Sequence, residues 1–146
     1  MIDSIPLDYW KLIVALLLGV IIGLERSIAG KTAGMRTYGL VSMGSCLFII
    51  LSQAVVANSS LFNFDPMRTA AGIIMGIGFL CGGVIIFQNH ELTGLTTAAG
   101  LWVAAGIGMS TGFGEISLAV FTTLITLVVF TLLWTLEHFI TKVRKY

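Results

Sequence analysis

Glu25 is the first residue whose chemistry stands out, because it closes a long apolar run and is followed by Arg26. A carboxylate at the edge of a membrane segment is expensive unless it is paired or has a function such as ion binding. Two interpretations stay open, a metal-binding carboxylate or an ion pair with Arg26 or Arg36. We favour the pair with Arg36, because adjacent residues on a helix point in different directions and Arg36 lies across a short loop.

Asp65 is the second candidate carboxylate, and it stands directly before Pro66 and close to Arg68. Aspartate is a preferred N-cap residue and proline suits the first turn of a helix, so the structural interpretation is the start of a helix. The alternative is that an exposed Asp65 binds a cation. Magnesium needs several hard oxygen ligands, and the apolar segments between residues 38 and 111 carry no carboxylate of their own.

The tripeptide Gly30-Lys31-Thr32 resembles the end of a phosphate-binding loop. That loop needs a glycine five positions before Gly30 and a preceding strand, whereas Glu25 stands there and an apolar helix precedes it. Nucleotide hydrolysis is therefore not expected. The flexible basic loop could still bind anions or lipid headgroups.

The remaining reactive side chains form no catalytic or metal-binding constellation. His90 and His138 are isolated, and Cys46 and Cys81 lie inside apolar runs without a CxxC spacing. Small buried hydrophobic residues are the usual interpretation of such cysteines. We therefore expect neither an enzyme nor a bound cofactor.

Composition indicates that the chain lies in a membrane. It has 146 residues, of which 57% are hydrophobic and 10% charged, whereas soluble domains carry about 25% charged residues. A membrane-spanning helix needs roughly 20 mostly apolar residues. We predict an all-α, polytopic membrane protein with a single domain of five transmembrane helices, at about residues 7–24, 38–57, 68–87, 95–111 and 116–136.

Basic residues in the short connecting segments predict the orientation, since lysine and arginine are enriched on the cytoplasmic side. One cluster lies between the first two helices and another follows the fifth: Arg26, Lys31 and Arg36, then Lys142, Arg144 and Lys145. An odd number of spans places both clusters on one side, which supports five. The N-terminus is therefore expected outside and the C-terminus in the cytoplasm.

Small residues predict how the helices pack, because glycine or alanine at i, i+4 lets membrane helices approach closely. The third helix has two such stripes and the fourth has one: Gly72, Gly76 and Gly83; Ala71, Gly78 and Gly82; Thr97, Gly100, Ala104 and Gly108. We expect the third and fourth helices at the packed centre and the fifth at the periphery. Gly76→Leu should then damage the fold or the assembly, and a bulky residue at Ala119 should have only a mild effect. A hinge or transport pathway is the alternative role of these glycines.

Three stretches, residues 23–45, 65–85 and 94–108, resemble the MgtC/SapB family of bacterial inner-membrane proteins. They read GLERSIAGKTAGMRTYGLVSMGS, DPMRTAAGIIMGIGFLCGGVI and GLTTAAGLWVAAGIG, and they occur in the family's order over most of the chain. The family-motif positions are Gly23, Glu25, Arg26, Gly30, Lys31, Gly34, Arg36, Thr37, Asp65, Pro66, Arg68, Gly76, Gly78, Gly83, Gly94, Thr96 and Thr97. Two departures are Cys81, where glycine or alanine is typical, and residues 88–90, which replace a more basic turn.

The resemblance implies a role in magnesium homeostasis or growth at low magnesium and, in pathogens, survival inside host cells. It also implies action through other membrane proteins rather than transport. A small transporter or channel for magnesium or another solute is the alternative. The expected partners are the lipid bilayer and other membrane proteins or a second copy in a homo-oligomer, and no nucleic acid. Many relatives carry a soluble C-terminal domain. This sequence stops soon after the fifth helix, so we expect no such domain.

Overall fold

The computed structural model describes residues 9–58, 65–88, 91–136 and 140, which form a helical bundle with one short β-hairpin. The helices are α1 (Tyr9–Ile28), α2 (Met35–Asn58), α3 (Pro66–Val84), α4 (Leu95–Phe113) and α5 (Ile116–Val128). A π-helical segment, Val129–Leu133, continues α5. The strands β1 (Ile86–Gln88) and β2 (Glu91–Thr93) pair antiparallel between α3 and α4. The basic residues predicted after the fifth helix lie outside the described residues, as do both histidines.

Three of the described helical stretches are long and apolar enough to cross a membrane, namely Met35–Val56, Pro66–Val84 and Ile116–Leu136. The helix α1 has a suitable length but contains Lys11, Glu25 and Arg26. In α4, glycine, serine and threonine lower the hydropathy of a helix of 19 residues. The all-α class is therefore confirmed, whereas length and composition support a membrane span for three helices rather than five.

Helices that follow one another in the chain alternate in direction, so α2 and α4, which are in contact, run parallel. Tyr38, near the start of α2, contacts Thr97, near the start of α4. Arg26, near the end of α1, contacts Phe130, just beyond the end of α5. One end of the bundle therefore gathers the final turns of α1 and α5 and the first turns of α2 and α4. We call this end the basic end, because Arg26, Lys31 and Arg36 lie in or beside the connection from α1 to α2.

The helix α4 lies at the centre of the bundle, because it contacts each of the other four helices. Its predicted stripe of small residues is buried, and Gly112 extends it by one turn. A Cβ atom added to Gly108 would collide with the backbone of Ser42 in α2, and one added to Gly112 would lie 2.8 Å from Cβ of Ile49. The small residues of α4 therefore set the close approach of α2 and α4.

The helix α3 lies at the periphery, so its predicted place at the packed centre is wrong for the single chain. A Cβ atom would meet none of the described residues within 4 Å at any of its five glycines, Gly72, Gly76, Gly78, Gly82 and Gly83. Ala119 of α5 is instead fully buried in the hydrophobic core. For the packing within the single chain, the expected contrast between Gly76 and Ala119 is therefore reversed. The physical reason is that the glycine spacing makes one face of α3 flat, but it does not determine which helix packs against that face.

The third helix also ends earlier than predicted. It stops at Val84 rather than residue 87, because Ile85 is extended at φ −81° and ψ 116°. The following run of isoleucine and phenylalanine has β-branched and aromatic side chains that favour strands. It forms β1, in which Ile86 is opposite Thr93. This hairpin brings the chain to Gly94 and the start of α4 at the basic end.

Candidate functional site

Arg26 is the most deeply buried charge among the described residues, with 3% of its surface exposed. Its Nη2 donates a hydrogen bond of 2.6 Å to Oε1 of Glu25, and its Nε donates to Oε2 of the same carboxylate. Burying a charge costs several kcal/mol unless a partner compensates. Two parallel hydrogen bonds from a guanidinium to a carboxylate are the strongest such compensation. Glu25 therefore compensates the buried positive charge of Arg26 at this end of the bundle.

The predicted pair of Glu25 with Arg36 is wrong. Both carboxylate oxygens of Glu25 accept hydrogen bonds from Arg26, and Arg36 is exposed at the start of α2. The prediction considered only the directions in which adjacent Cβ atoms point. Arginine and glutamate have long side chains, so adjacent residues can fold toward each other along the flank of one helix.

Phe130 covers the guanidinium of Arg26, with the central carbon 3.8 Å from the centroid of the ring. A desolvated cation–π contact of this kind contributes about 2 kcal/mol. Phe130 is buried and belongs to the π-helical segment. Single π-helical turns are rare in proteins, and those that occur often lie at functional sites. The contact joins the end of α1 to the end of α5.

Tyr38 completes this cluster from α2. It is fully buried, and its hydroxyl donates a hydrogen bond of 3.2 Å to the carbonyl oxygen of Thr97 in α4. Gly100 leaves the necessary space, since a Cβ atom there would collide with the Tyr38 hydroxyl and lie 2.6 Å from Cζ of Phe130. We call Glu25, Arg26, Tyr38 and Phe130 the charge cluster. Four helices meet around it.

The glycines of the first motif shape the connection between α1 and α2. A Cβ atom on Gly23 would lie 2.6 Å from Cα of Met35, and one on Gly34 would collide with Oγ of Ser27. Gly30 has a φ of 66°, which favours glycine. These glycines therefore let the chain turn tightly. The other motif residues here, Lys31, Arg36 and Thr37, are exposed.

Asp65 acts as the N-cap of α3. Its Oδ1 accepts a hydrogen bond of 2.9 Å from the backbone N–H of Met67, and Pro66 occupies the first turn. Asp65 and Arg68 are both exposed. Across the described ranges, no three histidine, cysteine, aspartate or glutamate side chains lie close enough together to hold a metal ion. Its role as the N-cap of α3 therefore accounts for the contacts of Asp65.

The motif residues at the start of α4 include a glycine that lets the chain pass close to the end of α3. Gly94 has a φ of 87°, and a Cβ atom there would collide with the carbonyl oxygen of Val84. Thr96 is exposed at the start of α4, and Thr97 is buried. The motif glycines of α3, Gly76, Gly78 and Gly83, face open space instead. The family-motif residues thus divide between the basic end and one open helix face.

An apolar groove of about 700 Å³ lies between α2 and α3. We call it the α2–α3 groove. Leu40 and Phe48 line it on α2, and Gly72, Gly76 and Ile77 line it on α3. Both helices are long and apolar enough to cross a membrane. In a bilayer the groove would be open to lipid or to another helix.

Sequence reasoning missed Tyr38 and Phe130. One signal was available for Tyr38, because Tyr38, Ser42 and Cys46 follow each other at intervals of four residues and all are buried. This row packs against the small residues of α4. For Phe130 no local pattern existed, since its partner Arg26 is 104 residues away.

Comparison with known proteins identifies relatives of the whole bundle. A model of the MgtC family matches residues 12–139. YhiD of Escherichia coli, described as a candidate magnesium transporter, is 43% identical over 122 residues, or 82% of this chain and 57% of YhiD. MgtC of Salmonella typhimurium is 43% identical over 117 residues, or 80% of this chain and 48% of MgtC.

A protein of Haemophilus influenzae described as uncharacterized is 41% identical over 123 residues, or 81% of this chain and 52% of that protein. The chain therefore spans about half the length of the curated relatives it matches. No solved structure matches it. Since the family model covers nearly all of the described helices, the chain belongs to the MgtC family.

Proposed function

We propose that this chain is a non-enzymatic protein of the bacterial inner membrane that serves magnesium homeostasis or adaptation to low magnesium by binding other membrane proteins. Membership of the MgtC family and the magnesium-related description of YhiD support the physiological role. The observation that carries the binding role is the α2–α3 groove. It presents an apolar, glycine-lined surface that the described part of the chain leaves open.

The proposed occupant of the groove is a transmembrane helix of another membrane protein. Within a bilayer, helices satisfy all backbone hydrogen bonds internally, so a helix is the form in which a partner segment can lie there. Small residues let two such helices come into close contact. Gly72 and Gly76 of α3 and Gly44 of α2 all line the groove and have room for a neighbour. The partner helix should therefore be apolar and should carry small residues of its own.

We further propose five membrane crossings, with the N-terminus outside and the C-terminus in the cytoplasm. The alternating helix directions support this topology, because α1 and α5 finish at the same end of the bundle. That end carries Arg26, Lys31 and Arg36, and basic residues favour the cytoplasmic side. In α1 the charges lie near the helix ends, and Glu25 and Arg26 neutralise each other.

A transporter for magnesium or another solute is the second candidate function, and the description of YhiD favours it. Such a protein would need oxygen ligands along a path through the membrane. Both carboxylates predicted as candidate ligands have structural roles here, Glu25 as the partner of Arg26 and Asp65 as the cap of α3. These roles support the binding proposal over transport.

The experiment that tests the proposal compares wild type with Gly76→Leu after growth in low magnesium. Both proteins are purified in a mild detergent, and the co-purifying membrane proteins are identified. A Cβ atom at residue 76 has no described atom within 4 Å, so a larger side chain there would begin in open space and fill part of the groove. A specific partner should therefore be lost from Gly76→Leu while the protein stays folded.

The same preparations should be placed in liposomes to measure magnesium uptake. The binding proposal expects no uptake above that of empty liposomes. Magnesium uptake by the wild type above that of empty liposomes would contradict this proposal and would establish the transporter. Co-purification of the same partner with Gly76→Leu would show that the groove is not the binding surface.

A further inference from the structure

A second cavity, of about 390 Å³, lies at the basic end of the bundle. We call it the basic-end cavity. Arg26 and Lys31 contribute charge to its wall, Thr96 contributes a hydroxyl, and Phe130 and Trp134 contribute aromatic rings. Unlike the α2–α3 groove, it therefore combines the ammonium group of Lys31 and the guanidinium of Arg26, whose charge Glu25 compensates, with polar and aromatic groups. No carboxylate is among the described residues that line it.

Arg26 supplies a fixed donor to this cavity. Its side chain is 4% exposed, and the hydrogen bonds to Glu25 use Nε and Nη2. A guanidinium has five N–H groups, so the pair with Glu25 leaves Nη1 available as a donor. The carboxylate and the ring of Phe130 together hold the guanidinium in one orientation. The cavity therefore contains a donor that does not have to be ordered when a ligand binds.

The N-terminus of α4 reaches the same cavity through Gly94, Leu95 and Thr96. Gly94 provides no side-chain cap, and the first hydrogen bond within the helix runs from Ala98 N–H to the carbonyl of Gly94 at 2.9 Å. The backbone N–H groups of Leu95, Thr96 and Thr97 therefore have no acceptor inside α4. A helix N-terminus carries about half a positive charge and binds anions such as phosphate.

The apolar part of the wall indicates where the anion would come from. Leu95, Leu133 and Trp134 line the cavity beside the cationic groups. Tryptophan is enriched at the headgroup level of membranes, and basic pockets between transmembrane helices bind anionic lipid headgroups. Such a pocket offers donors to a phosphate and an apolar wall to the attached chain.

We propose that the basic-end cavity binds a phosphate group through Lys31, the Nη1 edge of Arg26 and the first N–H groups of α4. An acidic phospholipid headgroup and free inorganic phosphate share this chemistry. Neither the role in magnesium homeostasis nor the use of the α2–α3 groove is needed for this site. Failure of this proposal would therefore leave those proposals untouched.

The test uses the full chain purified in a maltoside detergent. Phosphatidylglycerol is titrated in one series and inorganic phosphate in another, with phosphatidylcholine as the neutral lipid. Native mass spectrometry counts the bound molecules, and thermal unfolding reports stabilisation by mass action. Binding of phosphatidylglycerol alone would identify a lipid headgroup site, and binding of both or of phosphate alone would identify a general or a soluble phosphate site.

Lys31→Gln is the main variant, because Lys31 is exposed and its replacement leaves the buried cluster intact. A basic side chain near a membrane surface contributes about 1 kcal/mol to the binding of an anionic lipid. We therefore expect Lys31→Gln to weaken binding about fivefold. Arg36→Gln is the matched control, since Arg36 is exposed nearby and does not line the cavity. It should change binding much less.

Thr96→Asp is a second variant, which tests the site directly if the loss of the Lys31 charge changes binding only slightly. The new carboxylate would lie at the N-terminus of α4, where a negative charge stabilises the helix, so the protein should stay folded. It would also compete with phosphate for the same N–H groups and abolish binding. Thr96→Asn serves as its uncharged control. Equal binding by wild type, Lys31→Gln and Thr96→Asp, or no binding by wild type, would overturn the proposal.

Discussion

Gly108→Ala adds one methyl group where α4 meets α2. The new Cβ atom would collide with the carbonyl oxygen of Ser42 and would lie 2.7 Å from its carbonyl carbon and 2.9 Å from its Cα. These are backbone atoms of a second helix, so no side-chain rotation relieves the contact. The two helices must move apart, and both are part of the buried centre of the bundle.

The size of the effect follows from two opposing terms. Overpacking a filled interior costs about 1–3 kcal/mol, and a clash with backbone belongs at the upper end of that range. Replacing glycine by alanine within a helix contributes up to about 1 kcal/mol of helix stability. The net result for Gly108→Ala is a loss of about 1–2 kcal/mol. For a chain of this size, 1 kcal/mol corresponds to roughly 4 °C in the unfolding midpoint.

Gly76→Ala is the matched control, because it makes the same chemical change on α3, where the added Cβ atom meets nothing within 4 Å. Gly76→Ala should gain the helix stability of alanine without a steric clash, so its unfolding midpoint should rise slightly. The assay is thermal unfolding of both variants in the same detergent, followed by size-exclusion chromatography. Equal midpoints, or a larger loss for Gly76→Ala, would refute the assignment of α4 as the packed centre of the single chain.

Glu25→Gln and Arg26→Gln should each lower the unfolding midpoint, since breaking a buried pair costs about 3–5 kcal/mol, with the smaller effect expected for the partly exposed Glu25. The double variant should lose at least 0.5 kcal/mol less than the sum, as interacting pairs do, and strict additivity would contradict the pairing. Tyr38→Phe should lose about 1 kcal/mol in the same assay because it removes the hydrogen bond to Thr97; an unchanged midpoint would show that this bond contributes nothing. A reporter fused after Tyr146 should be active in the cytoplasm, and a periplasmic signal would overturn the proposed orientation.

Local sequence spacing predicted the packing of α4 but not that of α3. The stripe that contains Gly100 and Gly108 is buried because α2 and α5 supply Tyr38, Ser42 and Phe130 to fill the space beside it. The stripe around Gly76 has the same spacing and faces open space. The spacing of small residues determines the shape of one helix face. Which helix packs against that face depends on contacts between segments that are far apart in the sequence.

The charge cluster shows the same limit at the level of single side chains. The position of Glu25 at the end of an apolar helix correctly indicated a paired carboxylate. Its partner depended on side-chain rotamers that no pattern reports. Phe130, which covers Arg26, lies in a π-helical segment far along the chain, which no local pattern indicated. The cap at Asp65 was predictable because its determinants lie within three residues.

Photo-crosslinking in native membranes tests most directly whether the α2–α3 groove binds another membrane protein. Benzoylphenylalanine would replace Phe48, which lines the groove, and in a control would replace Phe121, which is similarly exposed on α5. We expect position 48 to crosslink to one membrane protein, position 121 not to do so, and Gly76→Leu to abolish the product. Equal products from both positions, crosslinks only to lipid or to a second copy, or a product that survives Gly76→Leu would contradict the proposed function.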